Sequence, residues 1–222
     1  MQSQILKLED EVCQSDVLAH PFLDRFREGT LTSAQVKAFT SQQYHFSNTF
    51  ARCLTGLHSR IPDYYVSGPY IKHFSSEPWG VNNPQSHSHL FRKWMNILRI
   101  EEKDISLYPE TQRFLEKRLE LCTNLDYHIG LGSLAYGHEF VNKFLFAIYL
   151  DGLRKIGFRT DQLDYFSAHV RDEGEDYAVL RKMIVDTTHN KSDIESLCFG
   201  ARKTLVERAL FFDALHTRLE GE

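Results

Sequence analysis

The chain has 222 residues, 42% of them hydrophobic and 25% charged, with a net charge of −4. That length can bury a sizeable core, and the mildly acidic balance offers no electrostatic reason for nucleic acid or an anionic membrane as a partner. The longest apolar run, FLFAIYL at 144–150, is far too short to span a bilayer.

The opening MQSQILKLEDEV is acidic and amphipathic, unlike a signal peptide, and Cys13, Cys53, Cys122 and Cys198 are scattered without paired spacing. Both features predict free thiols and a cytoplasmic location. Helical periodicity predicts helices over about 3–13 and 18–28. The stretch TSAQ is a capping box, with Thr32 capping and Gln35 reaching back. The helix it opens runs to about His58, where IPD breaks it. Further helices are predicted over about 63–75, 84–98, 108–124, 126–156, 161–187 and 191–219. There is no period-two alternation, no flexible linker and no internal repeat. The expectation is a single all-α domain spanning residues 1–222.

Two of these helices carry the chemistry. The stretch LGSLAYGHEFVNKFLFAIYLDGLRK is apolar nearly all round until its last turn, so it is central. Glu139 sits in its middle. A carboxylate there must be paired, hydrogen-bonded or metal-bound, and Asn142 and Lys143 are possible local partners. The second is the charged run HVRDEGEDYAVLRK at 169–182. Wound at about 100° per residue, Leu163, Phe166, Val170, Tyr177, Leu180 and Ile184 share an apolar face, with Glu173 near its centre and His169 and Asp176 on its flank. Glu175 and Asp172 point to solvent. Imidazole and carboxylates at i, i+4 and i+7 stack along one side of the helix, either as metal ligands or as a buried ion pair; the mixture suits iron, manganese or zinc. A third contribution comes from SSEPWGVNNPQSHSHLFRKW, where Glu77 precedes Pro78 and His87 shares a face with Leu90, Phe91 and Trp94, while His89 points elsewhere. As an alternative, these are surface histidines of a loop.

Over most of its length the chain resembles the heme-oxygenase-like helical proteins that include TenA, PqqC and the Chlamydia protein associating with death domains. The likeness begins with HPFLDRFREGTLTSAQVKAFTSQQYHF (20–46) and continues with LHSRIPD (57–63). Within that group it is most similar to the heme-oxygenase-like diiron oxidases. The resemblance implies metal ligands at Glu77, in a context kept by Gly80, at His87, at Glu139 in YGHEF, and at His169, Glu173 and Asp176 of the late helix. It departs from the pattern twice. Glu173 stands where those proteins have Asp, and Asp176 where they have His. The second change replaces a neutral nitrogen donor by an anionic oxygen, which bears on whether the iron site is dinuclear and would favour manganese more.

Other members of the group use chemistry that the residues here do not match. TenA-type thiaminases place a nucleophilic cysteine on the central helix, whereas GLGSLAYGHEF has none and Cys122 falls too early. A p-aminobenzoate synthase of the group consumes its own tyrosine, and Leu23 occupies the matching position in HPFLDRF. PqqC-like proteins activate oxygen without metal in a His/Tyr/Arg-lined cavity, for which Tyr44, His45, His58, His138 and Arg208 are candidates. The resemblance therefore implies an oxidoreductase that uses iron, without heme, to activate dioxygen and oxidise a small organic substrate. Glu139 and His169 would carry the reaction, Glu139 as the bridging ligand. The substrate pocket is assigned to Tyr44, His45, Tyr136 and His138, with Phe50, Phe140, Phe144 and Trp94 as candidate apolar lining. Neither nucleic acid nor membrane is expected as a partner; a homodimer is. The alternatives are a cofactor-independent oxidase and a non-catalytic binding protein of the same fold.

Overall fold

The structure, a computed structural model, describes residues 2–62 and 86–220, apart from the side chains of Glu173 and Glu220. Its α-helices are α1 (Gln2–Cys13), α2 (Pro21–Glu28), α3 (Ser33–His58), α4 (His87–Leu98), α5 (Pro109–Cys122), α6 (Tyr127–Leu134), α7 (Val141–Ile156), α8 (Asp164–Thr187) and α9 (Lys191–Glu220). No strand occurs among the described residues. The helix expected over 63–75 lies outside them. None of the described helices is long and apolar enough to cross a membrane.

Local chemistry sets the helix ends. Thr32 Oγ1 accepts from Gln35 N at 3.2 Å while Gln35 Oε1 accepts from Thr32 N at 3.0 Å, the expected capping box. The second helix starts at Pro21 rather than near residue 18, because His20 caps it by accepting from Phe22 N and Pro21 takes the first helical position. The late helix starts at Asp164, after a short 3₁₀ turn at Thr160–Gln162.

The central helix departs from expectation in its middle. The stretch predicted as one α-helix over 126–156 contains a wider π-helical turn at Ala135–Phe140, and this turn holds His138 and Glu139. Such turns occur mainly at functional sites. Gly137, within the turn, packs so closely on Thr204 of α9 that a Cβ there would overlap it. Two glycines also set how closely α6 and α9 pack. A Cβ on Gly132 would overlap the Leu197 carbonyl of α9, and a Cβ on Gly200 of α9 would overlap the Ile129 carbonyl of α6.

The core is strongly aromatic. Phe22, Phe26, Phe39 and Tyr149 interlock with centroid separations of 4.9 to 5.9 Å, tying α2 and α3 to α7. Trp94 donates to Thr40 Oγ1 at 3.1 Å and packs edge-on against Phe158 and Phe166, which joins α4 to α3 and α8. The result leaves a cavity between α3, α4, α8 and the π turn with the start of α7.

Candidate active site

That cavity has a volume of about 190 Å³. Its walls bring together residues far apart in sequence: His87 from α4, His138 and Glu139 from the π turn, Asn142 and Phe146 from α7, and Tyr165, His169 and Asp176 from α8. Tyr44, Phe46 and Phe50 of α3 close the remaining side.

One end is built of imidazoles and carboxylates. The rings of His87 and His169 stand 4.0 Å apart, centroid to centroid. His169 is clamped in place by Phe146, stacked at 3.9 Å, and by the edge of Tyr165 at 4.7 Å. Burial, with the His87 charge second, pushes its pKa well below the ordinary 6.5. It is therefore the neutral imidazole that binds metals. Glu139 is buried, 3% exposed, and Asp176 reaches the same cavity while half-buried. His89 is exposed, one position beyond Ser88 on the outer side of α4. Asp172, expected in solvent, is only half exposed and lies 3.6 Å from His87 Nε2 while pairing with Arg171. Val170, expected on the apolar face of α8, is instead 41% exposed. Glu77 lies outside the described residues, as does the side chain of Glu173. Among the described residues, no three His, Cys, Asp or Glu side chains converge closely enough to hold a metal ion as they stand. The donor chemistry nevertheless fits iron, since two imidazoles and two carboxylates line the same cavity.

The other end is built around His138. Its ring is sandwiched between Phe46 at 5.1 Å and Phe50 at 4.3 Å. Two buried guanidiniums converge on its Nδ1: Arg118 Nη1 and Arg208 Nη2, each at 3.4 Å. Arg118 also donates to Phe46 O and Thr49 Oγ1, and Arg208 to Gly137 O and to Asn142 Oδ1 at 2.9 Å. Asn142 Nδ2 then lies 3.3 Å from His138 Nε2. Burial first, then the charges of Arg118, Arg208 and His169, push the His138 pKa well below 6.5, so the ring is neutral.

Five residues proposed for the pocket or its lining lie elsewhere. Tyr136 is two positions from His138, about 200° round a helix, and so turns away to pack on Phe140 and Tyr177 beside Glu9 and Arg181. Phe140 and Phe144 pack together, with Phe140 also on Tyr177, outside the cavity. Trp94 belongs to the core described above. His45 is rotated from Tyr44 by one helical step and faces the backbone of Ser106. His58 is exposed at the end of α3. Tyr44 does line the cavity, its hydroxyl donating to Glu102 at 3.0 Å. Lys143 is exposed over the rings of Phe140 and Phe144, and Asn142 is committed to Arg208 and His138. Sequence reasoning missed Arg118. The signal was available, for Phe114, Arg118 and Cys122 repeat at i, i+4 and i+8 on the buried face of α5.

The fold is heme-oxygenase-like, as the superposition on a solved structure of that fold shows over nearly the whole chain. A family model described as iron-containing redox enzyme matches residues 37–207, and the chain belongs to that family. Its activity is that of an oxidoreductase using dioxygen on a small organic substrate. The chain is similar to a 4-aminobenzoate synthase of Chlamydia pneumoniae, 23% identical over 209 residues that cover 92% of this chain and 91% of the relative. It is also similar to a 4-chloro-allylglycine synthase of Streptantibioticus cattleyicolor, 25% identical over 68% of this chain and 58% of that protein. Among solved structures, a domain of unknown function with a heme oxygenase-like fold from Shewanella denitrificans superimposes with a TM-score of 0.78. It is 18% identical, over 97% of this chain and 93% of that one.

Proposed function

We propose that residues 1–222 form one domain whose 190 Å³ cavity is the reaction chamber, with iron held at its imidazole and carboxylate end. His87, Glu139, His169 and Asp176 would be ligands, and Glu77 and Glu173 would complete a dinuclear set. The observation that carries this reading is that four ligand-type side chains, from three separate stretches of sequence, line one cavity. Bound iron would supply the electrons that dioxygen takes up. The protein's own residues do the rest. Phe146 and Tyr165 hold His169 as a neutral imidazole in a fixed orientation. Glu139, at 3% exposure, is a buried carboxylate whose charge a bound metal cation would help to offset. Phe46, Phe50 and Phe146 keep water from the reacting end.

The substrate is a small molecule brought in from outside. The position that the resemblance assigns to a self-consumed tyrosine is here Leu23, fully buried in the aliphatic and aromatic core. Relatives are named for making 4-aminobenzoate and 4-chloro-allylglycine, and substrates of that size suit this cavity. The test is elemental analysis and dioxygen uptake on protein purified with ferrous iron supplied. Near two irons per chain and iron-dependent uptake support the reading. Protein that takes up no iron, or whose His169→Ala variant binds as much, overturns it.

A further inference from the structure

The His138 end of the cavity contains more hydrogen-bond donors than acceptors. Arginine has no lone pair to offer. Arg118 Nη1 and Arg208 Nη2 both stand 3.4 Å from His138 Nδ1, so Nδ1 must be the acceptor and the ring proton sits on Nε2. The same rule fixes Asn142. Its Oδ1 accepts from Arg208 Nη1 at 2.9 Å, which leaves its Nδ2 facing His138 Nε2 at 3.3 Å. Two N–H groups therefore confront each other. Flipping the amide only moves the conflict, because Nδ2 would then face the Arg208 guanidinium. In either orientation, the contacts between His138, Asn142 and the guanidinium leave one donor of the His138–Asn142 pair facing another donor. Burying a donor without an acceptor is destabilising.

The missing acceptor belongs to something that enters the cavity, since His138 and Asn142 both line it. Its charge follows from what stands behind them. Arg118 is 1% exposed and all its hydrogen bonds go to neutral acceptors: Phe46 O, Thr49 Oγ1 and His138. Such a cation projects a positive potential through the imidazole toward the cavity, and Arg208, 4% exposed, adds to it from the other side. A carboxylate answers both the missing acceptor and the field.

We propose that His138 and Asn142 form a carboxylate subsite that anchors a small organic acid. Nε2–H of His138 and Nδ2–H of Asn142 donate to the carboxylate, and Arg118 and Arg208 supply the counter-charge from behind. The acid's apolar body then lies along Phe46 and Phe50, directed toward His169. This assignment deepens the reading of the cavity as a reaction chamber and rests on it.

The test is calorimetric titration of the purified full-length protein with benzoate, benzamide and benzylamine. Benzoate is expected to bind about tenfold or more tightly than benzamide, with benzylamine weakest. Asn142→Asp keeps an acceptor for Arg208 but places a negative charge in the subsite. It is expected to lose benzoate affinity by about tenfold or more with an unchanged melting temperature. Asn142→Ala, which removes the donor without adding charge, should weaken benzoate and leave benzylamine unaffected. Equal affinity for benzoate and benzamide, no heat with benzoate, or full benzoate affinity in both variants overturns the subsite. Iron content measured on the same preparations separates the two readings. Iron without benzoate binding overturns the subsite alone, and benzoate binding without iron overturns the metal assignment alone.

Discussion

His87 opens α4 and His169 sits in α8, yet their rings meet 4.0 Å apart at the cavity wall. His89, two residues from His87, is exposed. The proposed metal end therefore makes a discriminating prediction. His87→Ala and His169→Ala should each lower bound iron severalfold, since an outer-shell change alone typically costs about 10-fold or more in metal affinity. His89→Ala should bind as much iron as the unaltered protein. Elemental analysis of the three variants purified side by side decides it, and equal loss from His87→Ala and His89→Ala would sink the assignment.

Asp176 lines the same cavity where the resembled oxidases carry histidine. A carboxylate there makes the ligand set more anionic by one charge. Carboxylate favours harder ions such as manganese, more than imidazole does. One metal position should accordingly be weakly filled in aerobic preparations, and Asp176→His should raise its iron occupancy. Helix propensity does not oppose the change, because Asp and His are similar. A histidine variant that gains no iron counts against Asp176 as a ligand.

The helices were legible because each announces itself locally, by periodicity and by caps such as Thr32 and Gln35. Glu139 was legible because a carboxylate in an apolar helix has few explanations. Tyr136 and His45 were misassigned to the pocket because composition shows that a residue is amphipathic without showing which way a helix turns it. Arg118 and Arg208 were harder to place. Each is explained by partners far along the chain, His138 among them, and no single helix contains those relations. The π turn at Ala135–Phe140 was invisible for a similar reason, as its one glycine, Gly137, answers to a contact with Thr204 of α9.

The close contact of α6 with α9 gives a stability prediction independent of any metal. Gly132→Ala and Gly200→Ala each drive a methyl group into the opposing backbone carbonyl, so each should destabilise by about 1–3 kcal/mol or more. Gly174, on the exposed side of α8, is the control, because a Cβ there meets nothing within 4 Å. Gly174→Ala should stabilise by about 0.5–1 kcal/mol through helix propensity. Thermal melts of the three variants test the pair of opposite signs. A neutral Gly132→Ala would mean that the two helices can separate without penalty.

Glu207 of α9 yields the acid-limb prediction. Its side chain is 2% exposed, and it accepts from Lys203 Nζ at 2.9 Å and from Arg113 Nε at 3.2 Å. Burial by itself would raise its pKa. Lys203 and Arg113 outweigh burial and hold it below the ordinary 4.5. A carboxyl whose folded pKa lies below its unfolded value binds fewer protons folded than unfolded. Its stabilising contribution is thus complete above the unfolded pKa and disappears as pH falls through the folded one. Glu207→Gln should therefore be less stable than the unaltered protein at neutral pH, and the gap should narrow as pH drops below about 4.5. The narrowing should be modest, because Arg113 is 66% exposed and water screens its share of the pairing. Urea unfolding of both proteins at pH values on either side of that range measures the gap. A difference that stays constant with pH would show that the ion pairs do not hold the carboxylate, and that Glu207 acts only by filling space.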